Sequence, residues 1–320
     1  MIRTPALEDA VFPLGVLATI IVFLAFPIGS PAQVLVLAPA VALLGLPHGA
    51  LDLAVGRQIW ALRTLRDHTV FIAGYLGLAA ATLAIWLMFP GVALALFLAY
   101  SAYHFSGDWE GWGRIWRLAG STAIIGAPAL LHLTEVEAIF VKLSDPRSAA
   151  VLAFALSFLG GFAALTTVVA AVSDGAKRRI GEHALLWLAA VVLPPLLFFV
   201  AYFCFLHAPR HMRLSLGSLQ DRGLALWSSA VLATITLLAA TGAFFAMPAG
   251  FSVSDALLSV IFIGLASLTV PHMILVDLWH AAAPAGAEMQ SPGSAATPAR
   301  RRPKRRSGSK KPDVGAGVHT

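Results

Sequence analysis

The stretch VLVLAPAVALLGLPHGALDLAVGRQIW, residues 34–60, decides how this chain folds. It carries no charge before Asp52, and as a helix it is about 40 Å long, more than the roughly 30 Å hydrocarbon core of a bilayer. The same texture recurs throughout. Of 320 residues, 58% are hydrophobic and only 12% charged, which marks a polytopic membrane protein. Apolar segments fall at about 11–28, 34–60, 69–89, 91–117, 117–133, 148–172, 183–220, 224–247 and 256–280. A backbone facing lipid must satisfy its own hydrogen bonds, so each is expected to be helical. The expected fold is an all-α transmembrane helical bundle of eight or nine spans. Turn chemistry separates the segments, as in PIGSPAQ, FPG at 89–91, SDPR at 144–147 and MPAG at 247–250. The first run lacks a basic flank and a small-residue cleavage site, so it reads as a span rather than a signal peptide. Cys204 is the sole cysteine, which excludes an intramolecular disulfide.

Charge divides the chain in two. Residues 1–280 balance 14 Lys and Arg against 14 Asp and Glu, whereas 281–320 hold eight against two, so the tail alone supplies the net charge of +6. We therefore expect a helical catalytic domain over 1–280 and a disordered basic tail over 281–320, whose Pro, Ser, Gly and Ala content cannot bury a core. Such a tail suits a topology signal or contact with the lipid bilayer surface; nucleic acid is not an expected partner. Basic residues at 57–66 and 177–179 favour one membrane face and the tail the other, so orientation is left open. The expected location is the cell inner membrane, multi-pass.

Histidines interrupt this apolar frame. His48 sits in LPHGALD, His104 in AYHFSGDWE, and His207 and His211 in FLHAPRHMR. An imidazole inside a membrane is costly, and several at one depth point to a bound metal or cofactor. Three segments are centred on these motifs: 34–60 on Leu46 to His48, 91–117 on His104, and the stretch from Pro194 to Gln220 on His207. That layout predicts four imidazoles from three helices at one level near the midplane. His207 and His211 share a helix face by their spacing of four, and so do His48 with Asp52 and His104 with Asp108. Carboxylates beside imidazoles, on the same helix or a neighbour, can fix the tautomer of a ligating ring. Asp52 and Asp108 would also balance a divalent ion held by neutral histidines. Four nitrogen ligands with open positions suit redox-active iron better than a closed structural zinc.

Other classes fit less well. Membrane di-iron enzymes use repeated histidine boxes, and only one HxxxH exists here. A retinal Schiff base needs an intramembrane lysine, and none of Lys142, Lys177, Lys304, Lys310 and Lys311 lies in a clear span. A haem-binding membrane electron carrier, with His48 and His207 as facing ligands, and a non-enzymatic carotenoid-binding or transport protein stay open as alternatives.

The motifs LPHGALD, YHFSGDWE and HAPRH, with PHMILVDLW near the end, resemble the Brp/Blh family of integral-membrane β-carotene 15,15′-dioxygenases over about residues 30–280. Their order and spacing carry the resemblance, 56 residues from His48 to His104 and 103 from there to His207. It implies an iron-dependent carotenoid dioxygenase that cleaves β-carotene at its central double bond with dioxygen, giving two molecules of all-trans-retinal. By the same resemblance, Fe(2+) is the cofactor, His48, His104, His207 and His211 are its ligands, and a retinal-binding rhodopsin is a candidate acceptor of the product. A long hydrocarbon that partitions into the bilayer also suits a metal at mid-depth.

The remaining candidates are graded by surroundings. His272, in PHM within the last segment, is a further candidate at or near the metal, whereas His132 and His280 read as interfacial or helix-bonding residues. His68, His183 and His319 sit at segment ends or in the tail and are expected to be solvated. Arg210, between the paired histidines, is expected to meet a carboxylate or to snorkel. Among the aromatics flanking the motifs, Tyr103 and Phe203 are the chosen candidates for substrate binding.

Overall fold

Prolines and caps set the helix boundaries. In a computed structural model describing residues 5–60, 62–109, 111–174 and 177–282, α1 spans Pro5–Ala25, α2 Ser30–Ala40, α3 Leu46–Gly49, α4 Asp52–Trp60, α5 Leu65–Met88 and α6 Pro90–Phe105. Then follow α7 Arg114–Leu131, α8 Leu133–Leu143, α9 Pro146–Asp174, α10 Lys177–Val192, α11 Pro195–Tyr202, α12 Ala208–Ser218, α13 Arg222–Phe245 and α14 Val253–Ala282. Every regular element among the described residues is helical. Pro90, Pro146 and Pro195 open their helices, where a missing N–H costs nothing. Thr64 and Asp67 form a reciprocal capping box on α5, and Asp221 caps α13 by accepting from Leu224 N. Of the expected basic tail, 281 and 282 close α14 and the rest lies outside the described residues.

Two helical stretches widen into π-turns, and both do so where proline follows. Val41–Gly45 links α2 to α3 just before Leu46 and Pro47, and Phe203–His207 links α11 to α12 just before Ala208 and Pro209. A proline ring clashes with the carbonyl four residues back, on Leu43 or Phe205, and leaves it without a donor. Stepping to i→i+5 bonds, Leu46 N to Val41 O and Ala208 N to Phe203 O, relieves the crowding. The two π-turns lie against each other at Gly45, where a Cβ would come within 2.5 Å of the Phe203 ring. This contact joins the first and third histidine motifs.

Five helical stretches are long and apolar enough to cross a membrane: Ser30–Trp60, Leu65–Met88, Pro146–Val169, Arg222–Phe245 and Val253–Trp279. A sixth is obtained if α7 and α8, bent by 103°, count together. The expected number was eight or nine. The difference arises where apolar segments are interrupted: α6 ends at Phe105, a 3-10 turn Ser106–Trp109 follows, and Gly111 takes φ +95 before α7 begins. Residues 91–117 are therefore not one 27-residue span, and His104 lies in the last turn of α6 rather than at a span centre. Shorter apolar helices, Ala10–Ala25 and Ile180–Val192, add to the bundle. Large apolar side chains such as Leu76, Leu87, Phe154, Phe158 and Leu238 are exposed, as lipid-facing surfaces require.

The α7 and α9 helices meet backbone to backbone. A Cβ on Gly126 would sit 2.4 Å from the Gly160 Cα, the close approach that small residues permit between membrane helices. Gly126→Leu is expected to destabilise the protein by about 1–3 kcal/mol, the usual range for overpacking. A lowered thermal midpoint in detergent, with Gly161→Ala near neutral as the control, checks this.

Candidate functional site

His48, His104, His207, His211 and His272 converge in one cluster. Ring centres of His48 lie 5.3 Å from His207, 5.5 Å from His211 and 5.5 Å from His272. His104 is 4.8 Å from His207, 5.4 Å from His272 and 5.9 Å from His211, and His211 is 5.0 Å from His272. The α3, α6, α12 and α14 helices and the second π-turn supply them. All four histidines of the three sequence motifs are thus brought together, and His272 joins as a fifth. They come together through tertiary packing, not through equal mid-span positions.

Four of these rings have their Nδ1 atoms held from outside the cluster. His207 Nδ1 donates to Asp108 Oδ2 at 3.0 Å, and His272 Nδ1 to Asp52 Oδ1 at 2.7 Å. His48 Nδ1 donates to the Gly45 carbonyl, and His211 Nδ1 lies 3.4 Å from Ser215 Oγ. The Nε2 atoms then point inward. His104 Nε2 and His207 Nε2 are 3.2 Å apart, and His272 Nε2 is buried without a hydrogen-bond partner. A ring whose Nδ1 is fixed by a carboxylate and whose Nε2 is left over has the donor chemistry that suits a metal ion. Imidazoles bound to one ion at about 2.1 Å have ring centres roughly 5 Å apart at tetrahedral angles. The observed spacings scatter about that value. Among the described residues, no group of three or more His, Cys, Asp or Glu side chains has its ligand atoms placed to hold a metal ion.

The aspartates serve different histidines from those their spacing suggested. Asp52 meets His272, not His48, and Asp108 meets His207, not His104. The reason is local. The chain turns at Ala50 and Leu51 between α3 and α4, and tightens to 3-10 after Phe105, so residues four apart no longer share a face. Each carboxylate also accepts from a tyrosine: Tyr75 to Asp52 Oδ2 at 2.8 Å, and Tyr202 to Asp108 Oδ2 at 2.8 Å. Arg210 donates to the Asp108 carbonyl at 2.7 Å and pairs with Glu182 at 2.9 Å, which pins the 3-10 turn. It thus meets a carboxylate rather than snorkelling. Tyr75 and Glu182 had no sequence signal, since each lies on another helix far along the chain. Tyr202, five residues before His207, was visible as a flanking aromatic only.

The cluster closes one end of an apolar cavity of about 160 Å³. His48, His104, His207 and His272 form that end, and Phe105, Phe199 and Phe203 are among the aromatic walls. Phe203 stacks on His207 at 16° between ring planes. Tyr103, by contrast, is half exposed and bonds Asp277 at 3.3 Å, outside the cavity lining. His183, expected at a solvated position, is buried against Trp109 and Trp112. His132 bonds the Ala190 carbonyl at 2.8 Å, in keeping with a helix-bonding role. The His280 side chain and His319 lie outside the described residues.

What these elements define is a helical membrane-type protein with a carboxylate-braced histidine cluster at the end of an apolar cavity. Residues 39–280 match the model of the family described as beta-carotene 15,15′-dioxygenase. A beta-carotene 15,15′-dioxygenase from an uncultured marine bacterium, 66A03, is 32% identical over 254 residues, which cover 74% of this chain and 90% of that relative. The chain belongs to the beta-carotene 15,15′-dioxygenase family, as the Brp/Blh-type motifs implied. The matched span contains all five clustered histidines and both aspartates. No solved structure matches the chain.

Proposed function

We propose that this protein cleaves β-carotene at its central 15,15′ double bond with dioxygen, giving two molecules of all-trans-retinal, at an iron held by the histidine cluster. The observation that carries this reading is the junction of nitrogen ligands and hydrocarbon cavity in one place. His48, His104, His207 and His211 are the proposed ligands, and His272, with its unpartnered Nε2, is a fifth that binds or lies against the ion. When bound, iron supplies the activation of dioxygen for addition across a carbon–carbon double bond. The chain's own residues do the rest. Asp52 and Asp108 hold His272 and His207 in the tautomer whose Nε2 faces inward, and their two negative charges balance a divalent ion. Tyr75 and Tyr202 in turn hold the carboxylates.

β-Carotene offers no polar group to grip, so positioning falls to apolar walls that align the polyene and keep water from the centre. Phe203 and Phe199 form such a wall beside His207. Neither a nucleophile nor a general base is required. As a helical rather than barrel-forming chain, the protein belongs in the cell inner membrane, with the shorter apolar helices completing a multi-pass bundle.

Expression in cells that accumulate β-carotene tests the proposal. The orange pigment is expected to fade as retinal appears. Pigment that persists beside well-expressed, iron-loaded protein refutes cleavage, and pigment that co-purifies unchanged points to a carotenoid carrier instead.

A further inference from the structure

The cavity has a definite length and a pinned floor. It is lined along α6 from Leu94 to His104 and along α14 from Phe262 to His272, each roughly 15 Å of helix. Along α11 and its π-turn it runs from Pro195 to His207, roughly 17 Å. Three helices therefore agree on the distance from the histidines to the far end. There α8 contributes Val136, Ile139, Phe140 and Leu143, turned 103° from α7.

Fixed bonds hold this short helix across the end. At its start, His132 bonds the Ala190 carbonyl of α10 at 2.8 Å. At its finish, Lys142 pairs with Asp255 of α14 at 2.5 Å, and Trp86 of α5 donates to the Leu143 carbonyl at 2.9 Å. Val136, Phe140 and Leu143 are each buried.

Half of β-carotene, from the central double bond to the far edge of its ring, is roughly 15 Å by ordinary bond lengths. That matches the cavity. We infer that α8 is the floor against which one ring of the substrate stops, so that the depth from Phe140 and Val136 to the histidines selects which double bond is cleaved. This rests on the carotenoid-cleaving function proposed above. Oxygen adds across whichever double bond lies at the cluster: that bond breaks, each carbon gains one oxygen atom of a single dioxygen, and two carbonyl products leave. Central cleavage is then a consequence of depth.

Deepening or raising the floor tests the inference, with the unaltered protein run in parallel. Phe140→Ala lets the polyene slide by one double bond, about 2.5 Å by ordinary bond lengths. It is expected to give a pair of unequal carbonyl products, one longer and one shorter than retinal, as a major fraction. Leu143→Ala at the same level provides a second deepened variant if the first folds poorly, with elution as a single species in detergent as the criterion. Val136→Phe raises the floor and is expected to cut retinal formation more than about tenfold while the iron content stays unchanged. Retinal alone, at the unaltered rate, from a folded deepened variant and from Val136→Phe overturns the inference. If the unaltered protein makes no retinal, the proposed cleavage fails instead, so the two failures are distinguishable.

Discussion

His207→Ala is expected to remove both bound iron and retinal formation, the latter by about a thousandfold or more, which corresponds to several kcal/mol of lost stabilisation. This ring is held on three sides. Its Nε2 faces His104 Nε2 at 3.2 Å, its Nδ1 donates to Asp108, and its face stacks on Phe203. Alanine also removes one of the donors to the buried Asp108 carboxylate, a loss that typically costs about 1–3 kcal/mol. Folding must therefore be followed separately, by elution profile and thermal midpoint. Glutamine at the same site preserves volume and a hydrogen-bonding group, so a folded His207→Gln protein that lacks iron isolates the ligand role. Full activity in a folded His207→Ala protein rules out the proposed ligand set.

Asp108→Asn is expected to weaken iron affinity or turnover by about 10–100-fold, the usual effect of altering the outer partner of a metal-bound histidine. The asparagine oxygen can still accept from both His207 Nδ1 and Tyr202, which share Asp108 Oδ2, but not with the charge that stabilises a ring bound to a cation. Iron titration with a competing chelator separates this effect from lost positioning of substrate. If affinity and rate both stay within about twofold, the carboxylate is a packing group and the balance of charge assigned to it is wrong. Tyr202→Phe, which keeps the carboxylate and removes one of its donors, is the milder companion measurement.

The sequence announced the fold class and most of the histidine cluster because both are written in local chemistry. A 27-residue apolar run such as 34–60 can only be a buried or lipid-facing helix, and a histidine in such a run needs a partner. Three motifs, LPHGALD, YHFSGDWE and HAPRH, named four members of the cluster. The number of spans was not legible in the same way, since hydropathy does not register a 3-10 turn after Phe105 or a 103° bend after Leu131. Nor was the placing of Tyr103, because alternation around a helix ending at Phe105 depends on what packs against it.

Which carboxylate serves which histidine was decided only in three dimensions. Spacing paired Asp52 with His48 and Asp108 with His104, but both helices break between the partners, and each aspartate reaches instead to a ring on another helix. The same holds for His272, joined to Asp52 across 220 positions, and for α8, which closes the cavity from a point remote from every motif. A sequence by itself determines which groups cannot stay alone in an apolar interior. Which of them meet is set by helix breaks and helix packing, because a buried polar group can be satisfied by any partner the fold brings within reach.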